Sequence, residues 1–145
     1  MEKLLHTPEG VRDIYDNECK KKRKVLSKMH HVLSLYSYND IETPTFEFFD
    51  IFNQDKGSAA SNEMYKFFDR DNNTLVLRPD ITPSIARCVA KYYNEEDLPI
   101  RLCYQGDTFL NTHNHQGKSH QITQLGAELI NDDSSAADAE VIATV

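Results

Sequence analysis

Two hydrogen-bonding side chains, Gln124 and Glu128, interrupt an apolar segment at residues 122–130 of this 145-residue chain. Residues two apart on a strand point to the same side, so Gln124, Gly126 and Glu128 share one face of a sheet. A carboxylate among core-facing residues costs free energy unless a partner compensates its charge. The glycine leaves room above this face for a ligand. The spacing therefore indicates either a binding site or the solvated face of the sheet.

A second polar pair, Arg78 and Asp80, follows the apolar residues 74–77. Together with Gln124 and Glu128, Asp80 makes a set of two carboxylates and one amide. Such a set would suit a small cationic ligand with an amine and an imidazole, because both of these groups donate hydrogen bonds. We therefore treat these positions as the candidate site.

Other patterns of catalytic residues are missing from the sequence. The glycines have neither Walker nor dinucleotide spacing, and no serine lies in a nucleophile elbow. Cys19, Cys88 and Cys103 fit neither a disulfide framework nor a zinc knuckle. We interpret all three as reduced thiols without a catalytic role, and a reactive cysteine is the alternative.

Three histidines, His113, His115 and His120, lie close together in a polar segment. Two of them have strand spacing, which would let both imidazoles bind one metal ion. No thiolate or carboxylate lies beside them in the sequence, so we favour a polar loop over a metal site. The sequence thus predicts no catalytic residue, no resident metal and no cofactor.

The charge balance limits the possible partners. The chain has 16 Lys and Arg against 23 Asp and Glu, a formal net charge of −7. It lacks the overall positive field that holds a protein on nucleic acid or anionic lipid, so we expect neither partner. The basic run at residues 20–24 points all round a predicted helix, which favours a solvated surface over an anion site. No stretch resembles a membrane span or a secretory signal, which predicts a cytoplasmic protein.

A long amphipathic helix begins the scaffold that must position the candidate residues. Apolar side chains recur at spacings of three and four over residues 18–36. This pattern predicts that Val25, Met29, Val32 and Leu33 are buried.

The later elements follow from local signals. Turn residues between two β-favouring runs predict a hairpin, and Thr82 before Pro83 predicts a helix start capped by Thr82. The predicted elements are a strand at 40–43, a helical turn at 47–52, a mobile loop at 53–62, a hairpin at 65–77, a helix from 82, strands at 100–110 and 120–130 with a connection at 111–117, and a helix with a capping box at Ser135. This order predicts an α+β domain built on an antiparallel sheet flanked by helices. The last helix has no stop signal, so we expect residues 1–145 to be part of a longer core domain.

Five segments resemble, in order along the chain, the catalytic core of the histidyl-tRNA synthetase family. This family is a class II synthetase family, and it includes a paralogue, the regulatory subunit of ATP phosphoribosyltransferase. The resemblance runs from about residue 7 to residue 130. The segments are Thr7-Pro8-Glu9-Gly10-Val11-Arg12-Asp13, Asp40-Ile41-Glu42-Thr43-Pro44-Thr45-Phe46-Glu47, Tyr65-Lys66-Phe67-Phe68-Asp69, Leu77-Arg78-Pro79-Asp80-Ile81-Thr82 and Gln124-Leu125-Gly126-Ala127-Glu128.

The resemblance implies a histidine-binding site formed by Asp80, Thr82, Gln124 and Glu128, with the family's Glu shortened to Asp at position 80. It also implies a two-fold interface at residues 40–48, and hence a homodimer.

One family motif is altered in this chain. Class II motif 2 of the synthetases reads Phe-Arg-x-Glu, where the Arg clamps the α-phosphate and the amino-acid carboxylate and the Glu helps to seat ATP. This chain has Leu110 and Thr112 at those two positions, and its following loop keeps only Gly117 and Lys118 of the family pattern. Leucine offers no donor to a developing phosphoryl charge, and loss of one such contact typically costs on the order of 10²–10³ in rate.

The altered motif favours the regulatory paralogue over the synthetase. By resemblance, such a subunit binds a short-form ATP phosphoribosyltransferase catalytic subunit, which transfers a phosphoribosyl group to ATP in the first step of histidine biosynthesis. The resulting hetero-oligomer is inhibited by histidine. The alternatives are a histidyl-tRNA synthetase core fragment and a histidine-sensing module attached to another effector.

Overall fold

A computed structural model describes residues 5–53, 59–93, 98–112 and 119–144 of the chain. The elements in chain order are α1 (Asp16–Leu35), β1 (Asn39–Asp40), β2 (Phe46–Phe48), α2 (Phe49–Asn53), a 3-10 helix (Ser61–Glu63), β3 (Lys66–Phe68), β4 (Thr74–Leu77), α3 (Thr82–Tyr92), β5 (Ile100–Phe109), β6 (Gln121–Ile130) and α4 (Ser135–Thr144). The long helix, the β3–β4 hairpin, the helix from residue 82 and the two long strands are confirmed.

A short turn connects the end of α1 to the first strand of the larger sheet. Ser37 adopts a left-handed φ of 64°, and the Tyr38 N–H donates to Leu33 O over 3.2 Å. This is the hydrogen bond of a Schellman motif, with serine in the position that glycine usually takes. The Tyr38 side chain packs with Leu33 and Cys103 in a buried cluster, and β1 begins directly after it.

The larger sheet has the strand order β1-β5-β6. Strands β5 and β6 pair antiparallel along their whole length, whereas β1 pairs parallel to β5. The α+β class is therefore confirmed, but the larger sheet is mixed and not wholly antiparallel. Periodicity identifies a strand and carries no signal for its direction relative to a strand sixty residues away.

The smaller sheet has the order β2-β4-β3, and both of its pairs are antiparallel. Asp69 stabilises the turn of the β3–β4 hairpin. Its Oδ1 accepts hydrogen bonds of 2.9 Å from the backbone N–H groups of Asp71 and Asn73. One face packs on α2 through the buried side chains of Phe52, Met64 and Val76.

The larger sheet is covered on both faces, because successive side chains of β5 point to opposite sides. Cys103 packs toward α1 with Leu33. Leu102 packs toward α3 with Ile81 and Ile85, and all three are almost fully buried. The candidate residues of β6 lie on the α3 side of this arrangement.

The predicted burial along α1 is wrong for three of its four residues. Leu33 is 5% exposed, but Val25, Met29 and Val32 are 55%, 47% and 40% exposed. Met29 and Val32 line an open groove of about 370 Å³ between α1, β6 and α4. The periodicity identified the apolar stripe correctly, and no described element fills the groove in front of it.

Two predicted elements start or end at other residues. The strand predicted at 40–43 ends at Asp40, although the Ile41 N–H still donates to Cys103 O over 2.9 Å. The chain then leaves the sheet, because the Thr43 and Pro44 carbonyls accept hydrogen bonds from Arg78. The helical turn predicted at 47–52 begins at residue 49, since β2 occupies the residues before it.

Both predicted helix caps are wrong. The residue before α3 is Ile81, and no side chain caps this helix. The Thr82 hydroxyl points instead toward β6. At α4 the Ser134 hydroxyl accepts the Ala137 N–H over 3.2 Å, so the cap lies one residue before the predicted Ser135.

Parts of the predicted loop at 53–62 and of the connection at 111–117 cannot be compared with the structure. Residues 54–58 and 113–118 lie outside the described residues. The predicted pair His113 and His115 falls there too.

Candidate functional site

The site forms where the start of α3 meets the end of β6. The Thr82 hydroxyl donates a hydrogen bond of 2.8 Å to Glu128 Oε1. Asp80 lies just before α3, and its Oδ1 accepts the Ile81 N–H over 2.7 Å. This hydrogen bond holds the Asp80 carboxylate at the helix start, near enough to Glu128 for their charges to interact. Three of the four sequence-predicted site residues therefore lie together.

The strand register places the fourth residue on the same face. Glu128 lies opposite Leu102, Gly126 opposite Tyr104, and Gln124 opposite Gly106. Directly opposite residues of an antiparallel pair share a face. This face packs on α3 through the buried side chain of Leu102, so it is not the solvated face of the sheet. That alternative is wrong.

The sequence predicted open space above Gly126, and this prediction is wrong. A Cβ atom at Gly126 would lie 2.5 Å from both Cζ and Oη of Tyr104. The glycine therefore makes room for the aromatic ring of the neighbouring strand. Tyr104 forms the floor of the site, and sequence reasoning missed it, because the strand register is needed to place the ring over the glycine.

Burial dominates the electrostatics of these groups. It raises the pKa of the Glu128 carboxyl, an effect that the Thr82 hydrogen bond only partly offsets and the Asp80 charge reinforces. Burial also raises the pKa of the Tyr104 hydroxyl, which interacts with Thr82. A cation placed between Asp80 and Glu128 would compensate both carboxylates.

Gln124 supplies the clearest unused acceptor of the site. Its side-chain Oε1 is buried and has no hydrogen-bond partner among the residues that the structure describes. A buried amide oxygen without a partner costs about 1–3 kcal/mol, so a ligand donor at this point would be favourable.

Arg78 holds the surrounding segments together. Its Nε donates to Asp107 O and its Nη1 to Thr43 O, each over 2.8 Å. Arg78 is 7% exposed, and a Cβ at Gly106 would clash with its Nη2. Burial lowers the pKa of the guanidinium, and the Asp107 charge opposes this shift. Arg78 thus fixes β4 against β5 just before Asp80.

The altered motif 2 position lies at the end of β5. The Leu110 N–H donates to His120 O, and the Asn111 N–H donates to Glu63 O. These are backbone contacts, which any side chain at position 110 could make. The leucine side chain adds no donor to the site.

His120 contacts the N-terminal segment and the smaller sheet region. The ring Nδ1 of His120 lies 2.8 Å from the Tyr65 hydroxyl, and the backbone N–H of His120 donates to Gly10 O. Gly10 has a φ of 77°, and a Cβ there would lie 2.4 Å from the His120 ring. Among the described residues, the cluster that could hold a metal contains a different histidine, His30.

The Asp80 and Glu128 carboxylates lie near each other beside the Thr82 hydroxyl, and Gln124 adds an acceptor further along the same face of β6. Acceptors of this kind suit a small cation with ammonium and ring N–H groups, whereas Leu110 offers no side-chain donor for a phosphate or carboxylate.

None of the helices in the described parts of the chain has the length and hydrophobicity of a membrane span.

Comparisons with known proteins agree with this fold. The family model described as "Histidyl-tRNA synthetase" matches residues 10–145. A protein of Clostridium novyi named ATP phosphoribosyltransferase regulatory subunit is 43% identical over 99% of this chain and 34% of its own length. A histidine–tRNA ligase of Methanospirillum hungatei is 34% identical over 96% of this chain and 33% of its own length.

A solved structure has the same fold. It is titled an ATP phosphoribosyltransferase regulatory subunit/histidyl-tRNA synthetase from Bacillus halodurans, and it superposes with a TM-score of 0.86 at 37% identity. The match covers 97% of this chain and 36% of that chain. The chain thus spans about a third of the length of the curated relatives it matches. The matched model covers nearly the whole sequence, and the chain belongs to the histidyl-tRNA synthetase family.

Proposed function

We propose that this chain is part of a non-catalytic regulatory subunit of ATP phosphoribosyltransferase, which acts in the cytoplasm in the first step of histidine biosynthesis. The observation that carries the proposal is Leu110 at the position of the motif 2 arginine. A synthetase needs a donor there to stabilise the phosphoryl charge that develops during adenylation, and leucine has none. Relatives that carry the regulatory-subunit name support the same assignment.

The catalytic partner in this proposal is a short-form ATP phosphoribosyltransferase subunit. It would carry out the transfer of the phosphoribosyl group to ATP, and this chain would carry the effector site. Histidine is the proposed effector, and it would inhibit the assembled complex.

Histidine would bind between Asp80, Thr82, Gln124 and Glu128. Its ammonium would donate to the Asp80 carboxylate, the Thr82 hydroxyl and the buried Gln124 Oε1, which has no other described partner. One ring N–H would donate to Glu128. The Tyr104 ring under Gly126 would limit the depth of the site.

The proposal is tested by two assays on the purified protein. Added to a short-form catalytic subunit, it should raise phosphoribosyl transfer to ATP, and histidine should suppress the gain. The same protein should give no histidine-dependent exchange of pyrophosphate into ATP. Exchange that disappears in an Asp80→Ala variant would overturn the regulatory assignment.

A synthetase fragment is the second candidate. It is favoured by the four acceptor positions of the histidine site and by relatives named histidine–tRNA ligase. The exchange assay separates the two candidates, because only a synthetase forms the adenylate.

We also propose that the protein is a homodimer through the outer face of the smaller sheet. Phe46, Phe48 and Phe67 share this face with Leu75, as the register of β2, β4 and β3 requires. The rings of Phe46 and Phe67 are in edge-to-face contact at 5.8 Å, yet Phe46 and Phe48 are 52% and 54% exposed. An exposed aromatic sheet face of this kind is typical of a protein interface.

A further inference from the structure

Three potential metal ligands converge on the side of the sheet away from the histidine site. His30 of α1, Asp40 of β1 and Cys103 of β5 each offer one ligand atom, and these atoms all lie within 4.8 Å of one another. The His30 Nε2 to Asp40 Oδ1 distance is 2.6 Å, and the Cys103 Sγ to Asp40 Oδ1 distance is 3.5 Å. The parallel pairing of β1 with β5 sets Asp40 directly beside Cys103.

We propose that His30, Asp40 and Cys103 bind a Zn²⁺ ion. Thiolate sulfur, imidazole nitrogen and carboxylate oxygen are the ligand atoms that zinc takes in proteins, and three protein ligands leave a fourth position for water. A thiolate in the set disfavours Mg²⁺ and Ca²⁺, which prefer oxygen ligands.

The two ligand distances that involve Asp40 can be compared with tetrahedral geometry. Ligand atoms around a tetrahedral zinc with bonds of about 2.0–2.3 Å lie roughly 3.3–3.8 Å apart. The sulfur to carboxylate distance of 3.5 Å already fits this range. The imidazole to carboxylate distance of 2.6 Å must lengthen by roughly 0.7 Å for tetrahedral ligands. Both groups are partly exposed, so a rotamer change can supply the movement.

The surroundings leave room for the fourth ligand. His30 and Asp40 border an open cleft of about 500 Å³, which is also lined by Glu42 and Gln105. Water can therefore reach the metal from the cleft side, while Cys103, 1% exposed, closes the other side.

Binding changes the protons on two of the ligands. Burial raises the pKa of the Cys103 thiol to about 11, so the free protein holds S–H. Zinc displaces this proton to solvent and binds the thiolate. The His30 Nε2–H donates to Asp40 in the free protein, so this proton must also leave Nε2 before the nitrogen binds zinc, and the bound neutral imidazole then carries its proton on Nδ1.

The experiment titrates the purified, metal-stripped protein with Co²⁺, and then with Zn²⁺ in competition with a chromophoric chelator. A bound thiolate gives a sulfur-to-cobalt charge-transfer band, which a structural hydrogen-bonded cluster cannot produce. We expect one equivalent of Co²⁺ with this band, and displacement of the cobalt by Zn²⁺. Cys103→Ser should abolish the band. His30→Gln and Asp40→Asn should each weaken zinc binding. Because each removes a direct ligand, the loss should exceed the roughly 10- to 100-fold that is typical when a residue hydrogen-bonded to a ligand is replaced.

Two other cysteines provide matched controls. Cys19→Ser and Cys88→Ser should keep the band, because neither thiol belongs to the cluster. If Cys103→Ser fails to fold, His30→Gln and Asp40→Asn still decide the question, since both positions are partly exposed. A parent protein without the band, a band that persists in Cys103→Ser, or a His30→Gln variant that binds zinc as tightly as the parent overturns the proposal.

Discussion

At Glu128 the proposed histidine binding and the stability of the ligand-free protein make opposite demands on one carboxylate. It is half-buried beside Asp80, and its carboxylate accepts a hydrogen bond from Thr82. A desolvated carboxylate near a second acid is unfavourable without a cation. Such an arrangement is typical of a binding residue, because the ligand supplies the missing charge.

Glu128→Gln should weaken histidine binding about 10- to 100-fold, since a hydrogen bond to a charged partner contributes about 1.5–3 kcal/mol. Isothermal titration calorimetry with histidine measures the loss, with histidinol and ATP as comparison ligands. Glu9→Gln, at an exposed position, is the matched control and should bind like the parent. Equal affinity of Glu128→Gln and the parent would show that the acceptor set does not bind histidine.

The same substitution should stabilise the ligand-free protein at pH 7. Because the pKa of Glu128 is raised in the folded state, the folded protein binds this proton more tightly than the unfolded chain does. The contribution of Glu128 to stability is therefore greatest below the ordinary pKa of 4.5 and is lost as the pH rises through the folded value. Thermal unfolding should show a higher midpoint for Glu128→Gln at pH 7 and no difference at acid pH below 4.5. A lower midpoint for the variant at pH 7 would contradict the burial argument.

At the scale of elements, an ion pair joins the smaller sheet to α3. The Arg87 guanidinium donates to Glu47 Oε1 through Nη2 at 2.6 Å and through Nε at 3.1 Å. Glu47 is 7% exposed. The pair holds β2 beside the helix whose first turn carries Thr82.

Arg87→Met should destabilise the protein by about 3–5 kcal/mol, because it leaves the Glu47 carboxylate buried without a partner. Urea unfolding measures this loss, and the slope of the unfolding free energy against urea concentration should stay unchanged. The double variant Glu47→Gln, Arg87→Met should recover part of it, since it also removes the charge. Arg12→Met, which breaks the exposed pair with Glu18, should leave the midpoint unchanged. Equal effects of Arg87→Met and Arg12→Met would be inconsistent with a buried Glu47 carboxylate that needs its partner.

At the scale of the whole molecule, the aromatic face of the smaller sheet predicts how two copies meet. Phe48→Lys should weaken the dimer about 30-fold or more, because an aromatic hot spot contributes about 2 kcal/mol or more. Sedimentation equilibrium measures the dissociation constant. Phe68→Lys is the control, since Phe68 is 70% exposed but lies on the opposite face of β3. A parent protein that stays monomeric, or a Phe48→Lys variant that dimerises like the parent, would contradict the proposed interface.

The local elements could be derived from the sequence because their signals are local. The spacing of apolar residues predicted α1, the turn residues 69–73 predicted the β3–β4 hairpin, and the alternation in β6 placed Gln124 and Glu128 on one face. Each of these depends on backbone geometry within a few residues. The family followed from ordered motifs, which the comparisons confirm.

Only the tertiary structure decided which distant residues meet. The Tyr104 ring fills the space over Gly126 because the β5–β6 register brings them opposite each other. The Thr82 hydroxyl contacts Glu128 rather than capping α3, since helix packing sets that distance.

The proposed zinc ligands and the exposed face of α1 depend on long-range packing in the same way. Asp40 and Cys103 are 63 residues apart, and the parallel β1–β5 pair brings them together. The periodicity of α1 marks an apolar stripe, but what covers Met29 depends on elements far along the chain. Local sequence determines the faces of a helix or strand, whereas the contacts of those faces come from the packing of the whole chain, which a one-dimensional pattern does not encode.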